Sequence, residues 1–210
     1  MKSFLAGIAI LLFCNNVFSQ TKINKYHSSD LKFKEIIDEF GEPLKGKSLL
    51  IMNYFSTNTG SLYFFLNESK SKNNAFLTDE PKDLHAGIFL EDHGGLLEKI
   101  TFKDFAVGLS QPVYLEEFCN IQDIDNNSYP EFYLMYFTES DGLDAKPLKL
   151  IIYTSSDKGK TYQKSKITAW IPFQPEDKLK IEKDSNFNNL DKKIQQKAEQ
   201  SLNQAIKTLE

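Results

Sequence analysis

Asp123, Asp125, Asn127 and Glu131 are oxygen-bearing side chains set two to four residues apart in one short segment, Asp-Ile-Asp-Asn-Asn-Ser-Tyr-Pro-Glu, which lies between two apolar runs. A calcium loop uses donors in this order, because the chain wraps the ion with its first, third and fifth side chains, its seventh carbonyl and a later carboxylate turned inward. Here those places are held by Asp123, Asp125, Asn127, the carbonyl of Tyr129 and Glu131. Hard oxygen donors suit calcium better than zinc or copper, so calcium is the cofactor this segment predicts. The same residue types also build ordinary turns, since Asx side chains bond nearby backbone and proline fixes its own φ. A plain polar turn is the competing reading.

The spacing does not complete an EF-hand. The sixth place, where glycine permits the sharp turn, holds Ser128, and the twelfth holds Leu134, which cannot ligate a cation. Both flanks, 113–121 and 131–137, are short and rich in aromatic and aliphatic residues, which predicts strands where an EF-hand needs helices. The shorter Asp-x-Asp-x-Asn-x-x-x-Glu arrangement resembles the hairpin loops of FG-GAP-type repeats, in which calcium sits between two strands.

Other chemistry is sparser. His27, His85 and His93 invite a metal or acid/base reading, and Glu91-Asp92-His93-Gly94-Gly95 is the densest polar cluster, but its spacing matches no zinc signature and also spells a hairpin turn. Nucleophile elbows, phosphate loops, dinucleotide fingerprints and His-Glu-x-x-His are missing from the sequence. Glu116 and Glu117, read as neighbours in a strand, fall on opposite faces and cannot pair across a substrate. Tyr54, Phe55, Tyr63, Phe64, Phe65, Tyr133, Tyr136 and Trp170 offer rings for core packing or for a sugar platform. No catalytic residue is assigned.

The elements that must hold the loop follow from hydrophobic period. Ser28, Ser29 and Asp30 are N-cap candidates for a short helix in which Phe33, Ile36, Ile37 and Phe40 recur at helical spacing until Gly41. Strand-like runs then occupy 48–55, 61–66, 85–90 and 97–102, and a second set occupies 113–121, 131–137, 148–154 and 166–171. The run 131–137 is apolar on both alternations, which predicts an interior strand covered on both faces. Leu190, Ile194, Ala198, Leu202, Ala205, Ile206 and Leu209 form an apolar stripe that predicts an amphipathic helix over 188–209 laid on a sheet. The expectation is a mainly β, α+β domain over 20–210, antiparallel, with about seven or eight strands and a helix at each end; residues 113–171 form the four-strand unit that carries the loop.

Residues 1–19 read as a secretory signal, with Lys2 before the apolar stretch 4–13 and Val17-Phe18-Ser19 before Gln20. That stretch is too short to span a bilayer, and bulky Phe13 before Cys14 is unlike a lipoprotein signal. Cleavage near Gln20 gives an exported product, periplasmic or secreted, without a transmembrane anchor. Acidic residues outnumber basic ones, 29 to 25, and loss of the leader removes Lys2. A surface of that sign does not suit nucleic acid. Cys119 is the one cysteine outside the leader, so no internal disulfide is expected; set in an apolar run, it is read as packed and unreactive.

The segment 118–125 running into Pro130-Glu131-Phe132, followed by Lys149-Leu150-Ile151-Ile152-Tyr153 and Lys160-Thr161-Tyr162, resembles small secreted proteins of flavobacteria-like bacteria labelled "surface polysaccharide biosynthesis protein". The resemblance covers mainly residues 113–170. Members often read Asp-Leu-Asp-x-Asp-Gly where this chain has Asp123-Ile-Asp125-Asn-Asn127-Ser128. The label implies an accessory role in building the cell-surface glycan, with glycan or envelope proteins as partners, and supplies no reaction. A glycan-binding module or glycan-active enzyme, and a module that binds a protein partner, are the alternatives.

Overall fold

Strands that are apolar on both alternations need a cover on each face, and here every such face has one. The computed structural model describes residues 21–72, 80–174 and 178–209; the leader expected at 1–19 lies outside them. The chain runs β1 (Lys22–His27), α1 (Leu31–Phe40), β2 (Lys47–Ser56), β3 (Gly60–Lys70), β4 (Lys82–Asp92) and β5 (Gly95–Asp104). It continues through β6 (Ser110–Tyr114), a 3-10 turn (Glu116–Phe118), β7 (Asn120–Gln122), β8 (Glu131–Ser140), β9 (Lys146–Thr154), β10 (Gln163–Ile171), β11 (Lys180–Lys183), α2 (Ser185–Asn188) and α3 (Lys192–Leu209). All pairings are antiparallel. One sheet has the order β1-β2-β3-β4-β5, the other β11-β10-β9-β8-β6, with β7 pairing β8 beyond the end of β6.

The first sheet presents Leu50, Met52, Tyr54, Leu62, Phe64 and Leu66 to the shared core, and the alternate residues Ile51, Tyr63, Phe65 and Phe89 pack under Phe33 and Ile36 of α1. In the second sheet Phe132, Leu134 and Tyr136 face the first sheet. Phe132 meets Phe64 of β3 with ring centroids 5.5 Å apart, and Tyr136 meets Phe102 of β5 at 5.3 Å. Four residues of β8 thus pass from β3 to β5, so the strands of the two sheets cross, as in orthogonal sheet packing. The other alternation, Tyr133 and Met135 with their rung partners Ile152 and Leu150, lies in the same core as Ile194, Ala198, Leu202 and Ala205 of α3. The layers are therefore α1, sheet, sheet, α3. β8 is the doubly covered interior strand that its composition predicts, with residues 131–136 all buried.

The β-rich α+β architecture matches the sequence expectation, with eleven strands among the described residues. β1 and β11 escape a pattern reading because both are edge strands of mixed polarity; β11 is exposed at all four positions. The run 113–121 is not one strand. Met135 explains the break: its carbonyl accepts from Leu115 N at 3.0 Å, but its N–H goes to Cys119 Sγ at 3.3 Å, a thiol standing in for a strand carbonyl. Residues 116–118 loop out between those two contacts. Glu116 and Glu117 consequently sit in a 3-10 turn and not on opposite faces of a strand.

Candidate metal centre

The loop joins β7 to β8 as a hairpin, closed by the rung Gln122 with Glu131. Its own acids shape it. Asp123 accepts from Asn127 N and Ser128 N, each at 3.0 Å, and Asp125 accepts from Asn127 N at 3.1 Å and Asn127 Nδ2 at 2.9 Å. Asn127 Oδ1 accepts from Tyr129 N at 2.7 Å. These are Asx-type bonds that replace sheet pairing through the turn. Asn126 and Ser128 lie in the left-handed region, φ 60° and 73°, which costs an L residue roughly 1–2 kcal/mol. At Ser128, where a glycine would have been free of that strain, the bond to Asp123 holds the conformation.

Glu131 begins β8, so its position is set by a strand whose first six residues are all buried. It is 1 % exposed and accepts from Ile124 N at 2.8 Å. Together Asp123, Asp125 and Glu131 present oxygens that all lie within 4.8 Å of one another, a group that can hold a metal ion. Burial pushes the Glu131 carboxyl up to about 8, and the neighbouring charges of Asp125 and Asp123 act in the same direction. Asp125 is raised as well, by burial first and then by Asp123 and Asp191. Among the described residues no lysine or histidine forms an ion pair with any of the three. Crowded carboxylates without a counter-cation favour either a proton or a bound cation.

Of the residues expected to ligate, the fold gathers Asp123, Asp125 and Glu131. Asn127 stands beside them with its carbonyl oxygen engaged by the loop, and Tyr129 gives its N–H to Asn127 and packs its ring against Gly159. Two further groups belong to this neighbourhood. The Tyr133 hydroxyl is buried without a hydrogen-bond partner among the described residues, and the charges acting on it are Glu131 and Asp125. Asn120, its rung partner, likewise leaves Oδ1 unpaired. Tyr133 reads in sequence as one more core ring; its β8 alternation, two residues from Glu131, is the signal that puts it on the loop's face.

The histidines do not converge on a site. His93 and Gly94 take φ 51° and 79° at the tip of the β4–β5 hairpin, the signature of a type I′ turn. His85 is buried with Nε2 at 2.9 Å from Ser69 Oγ, and burial lowers its pKa; His27 lies 3.4 Å from Glu116. Cys119 is buried and pushed up to about 12 by that burial, so it packs as expected. Of the eight aromatic side chains noted in the sequence, Phe55 is exposed and Trp170 half-buried, whereas the other six fill the cores. Among the described residues no helix is long and apolar enough to cross a membrane. Comparison of the chain with protein-family profiles, with curated protein sequences and with solved structures finds no match.

Proposed function

We propose that this is an exported, non-enzymatic accessory protein of cell-surface polysaccharide assembly whose β7–β8 loop holds a structural calcium ion. The observation that carries the metal reading is the trio of Asp123, Asp125 and Glu131 converging without a counter-cation. The donors are all hard oxygens, which favours calcium over zinc or copper. Their spread, within 4.8 Å, fits inside a calcium–oxygen shell of about 4.6–5.2 Å diameter, twice the usual bond length. The unpaired Tyr133 hydroxyl beside the trio suits a hydrated cation, which brings water where the protein supplies no partner. Asp123, Asp125 and Glu131 would hold the ion, with Asn127 and the Tyr129 carbonyl completing the set as the loop adjusts. Its role is to relieve the repulsion among the acids and fix the hairpin on β8.

The polysaccharide role rests on the resemblance over residues 113–170, and export rests on the leader-like residues 1–19. Melting the protein in millimolar calcium and in chelator tests the metal reading. Calcium at tenfold over an extracellular-type dissociation constant stabilises by about 1.4 kcal/mol, which raises the midpoint by a few degrees in a domain of this size. Asp123→Ala should not respond, and equal midpoints for the native protein would leave 123–131 as a polar turn. N-terminal sequencing of the exported protein should start near Gln20; retention of the leader, or a lipid on Cys14, would overturn the export assignment.

A further inference from the structure

Beside the loop opens a cavity of about 300 Å³, walled by Asp125 and Asn127, by the facing ends of β9 and β10, and by the α2–α3 junction. That volume is at the lower end for small-ligand pockets, enough for one small molecule and not for a chain. Ser165 marks it as more than a packing gap. The register sets Ser165 opposite Ile152 on the α3 side of β10, in line with Ile167 and Ala169, where an apolar residue would pack without penalty. Ser165 is 1 % exposed, borders the cavity, and its hydroxyl has no protein partner among the described residues. That hydroxyl opens on the cavity, where a bound polar ligand can meet it.

The other polar groups facing it, Gln163, Asn189 and Asp191, are exposed at its rim. Gln163, on the same face of β10, and Asn189, at the end of α2, border the cavity with side-chain amides that no described protein group occupies. Asp191 accepts from Lys193 N at 2.7 Å with one oxygen, which leaves the second uncommitted. Among the described residues no lysine or histidine borders the cavity, whereas two carboxylates do. Phosphate, sulfate and carboxylate ligands are therefore disfavoured by charge. Leu190 and Ile194 supply a small apolar wall. Amides that donate and accept, carboxylates that accept, hydroxyls that do both and a patch for C–H groups together describe the complement of a sugar ring.

We propose that this cavity binds a neutral polyhydroxylated small molecule, a single sugar ring or polyol, through Ser165, Gln163, Asn189 and Asp191. The site shares Asp125 and Asn127 with the calcium reading but does not depend on it, since the four binding side chains lie on other elements. Nuclear magnetic resonance titration of the ¹⁵N-labelled protein tests it, with D-glucose, D-galactose, D-mannose and N-acetyl-D-glucosamine as probes and D-glucuronate as the anionic counter-probe, in calcium and again in chelator. At least one neutral sugar should give saturable shifts of the Gln163 and Asn189 side-chain amides, with glucuronate weaker by about tenfold or more. Ser165→Val and the more accessible Asn189→Ala should each weaken that sugar about tenfold, the effect of about 1.4 kcal/mol. Asn189→Ala keeps the test valid if the buried substitution misfolds. No saturable shift with any neutral probe, equal binding of glucuronate, or unchanged binding by Asn189→Ala would overturn the proposal. Calcium-dependent melting of the same samples reports on the loop separately, so failure of one reading is distinguishable from failure of the other.

Discussion

Replacing Glu131 by glutamine should make the cation-free protein more stable near neutral pH, and the gain should grow with pH. In the fold Glu131 is buried, and its carboxyl is pushed up to about 8 from an ordinary 4.5. A carboxyl that holds its proton more tightly when folded contributes stability that is fully present below pH 4.5 and is lost as the pH rises through about 8. At about 1.36 kcal/mol per tenfold change in proton affinity, the loss amounts to about 1 kcal/mol at pH 5 and about 4 kcal/mol at pH 8. Glutamine has nearly the same shape, keeps an oxygen for Ile124 N, and carries no charge to bury. Urea unfolding in chelator at pH 5, 6, 7 and 8 should therefore show Glu131→Gln gaining about 3 kcal/mol on the native protein across that range. Adding calcium at pH 8 should recover much of the native protein's loss and do little for the variant. Parallel stability curves for the two proteins from pH 5 to 8 in chelator would mean that Glu131 is not a buried member of an acid trio.

Asp123→Ala removes the acceptor of Ser128 N and one of the two acceptors of Asn127 N and should destabilise the cation-free protein by about 1–2 kcal/mol in chemical denaturation, since both donors lie near the surface. Leu202→Ala empties a site under α3 that is 0 % exposed and should lower stability by about 2–5 kcal/mol, seen as a melting shift that calcium does not correct. Cys119, buried with its thiol pushed up to about 12, should resist thiol reagents at pH 7.5 in the native protein and react on unfolding. Cys119→Ala should cost about 1–3 kcal/mol by leaving Met135 N–H without its acceptor.

Sequence patterns carried furthest where burial is continuous. Residues 132–136 are apolar on both alternations because α3 and the first sheet cover them, so composition alone points to an interior strand. The stripe from Ile194 to Ile206 foretold α3 for the same reason: one face of the helix is buried at a period near 3.6. β1 and β11 were hidden because an edge strand exposed on its flank has no burial pattern to display. The break at 116–118 was hidden because Leu115, Phe118 and Cys119 keep the run apolar through the turn, and only the pairing of Met135 dictates it. At the loop, local spacing points to the three acids that the fold brings together, but that Asn127 would bond Tyr129 N depends on the left-handed turns at Asn126 and Ser128. The approach of Asp191 and Ser165 to Asp125 joins residues some 40–66 positions apart, a long-range consequence of the β9–β10 hairpin and α3 that no local motif encodes.

Calorimetric titration of calcium into the chelator-stripped protein at pH 7, repeated in two buffers of different ionisation enthalpy, tests whether Asp123, Asp125 and Glu131 hold a cation. Because Glu131 holds a proton when the trio is cation-free and must release it to ligate, binding should saturate at one ion, with uptake of about one proton by the buffer per ion bound. That proton should disappear in Glu131→Gln. Absence of saturable heat, or binding whose enthalpy is the same in both buffers, would contradict a cation held by Asp123, Asp125 and Glu131.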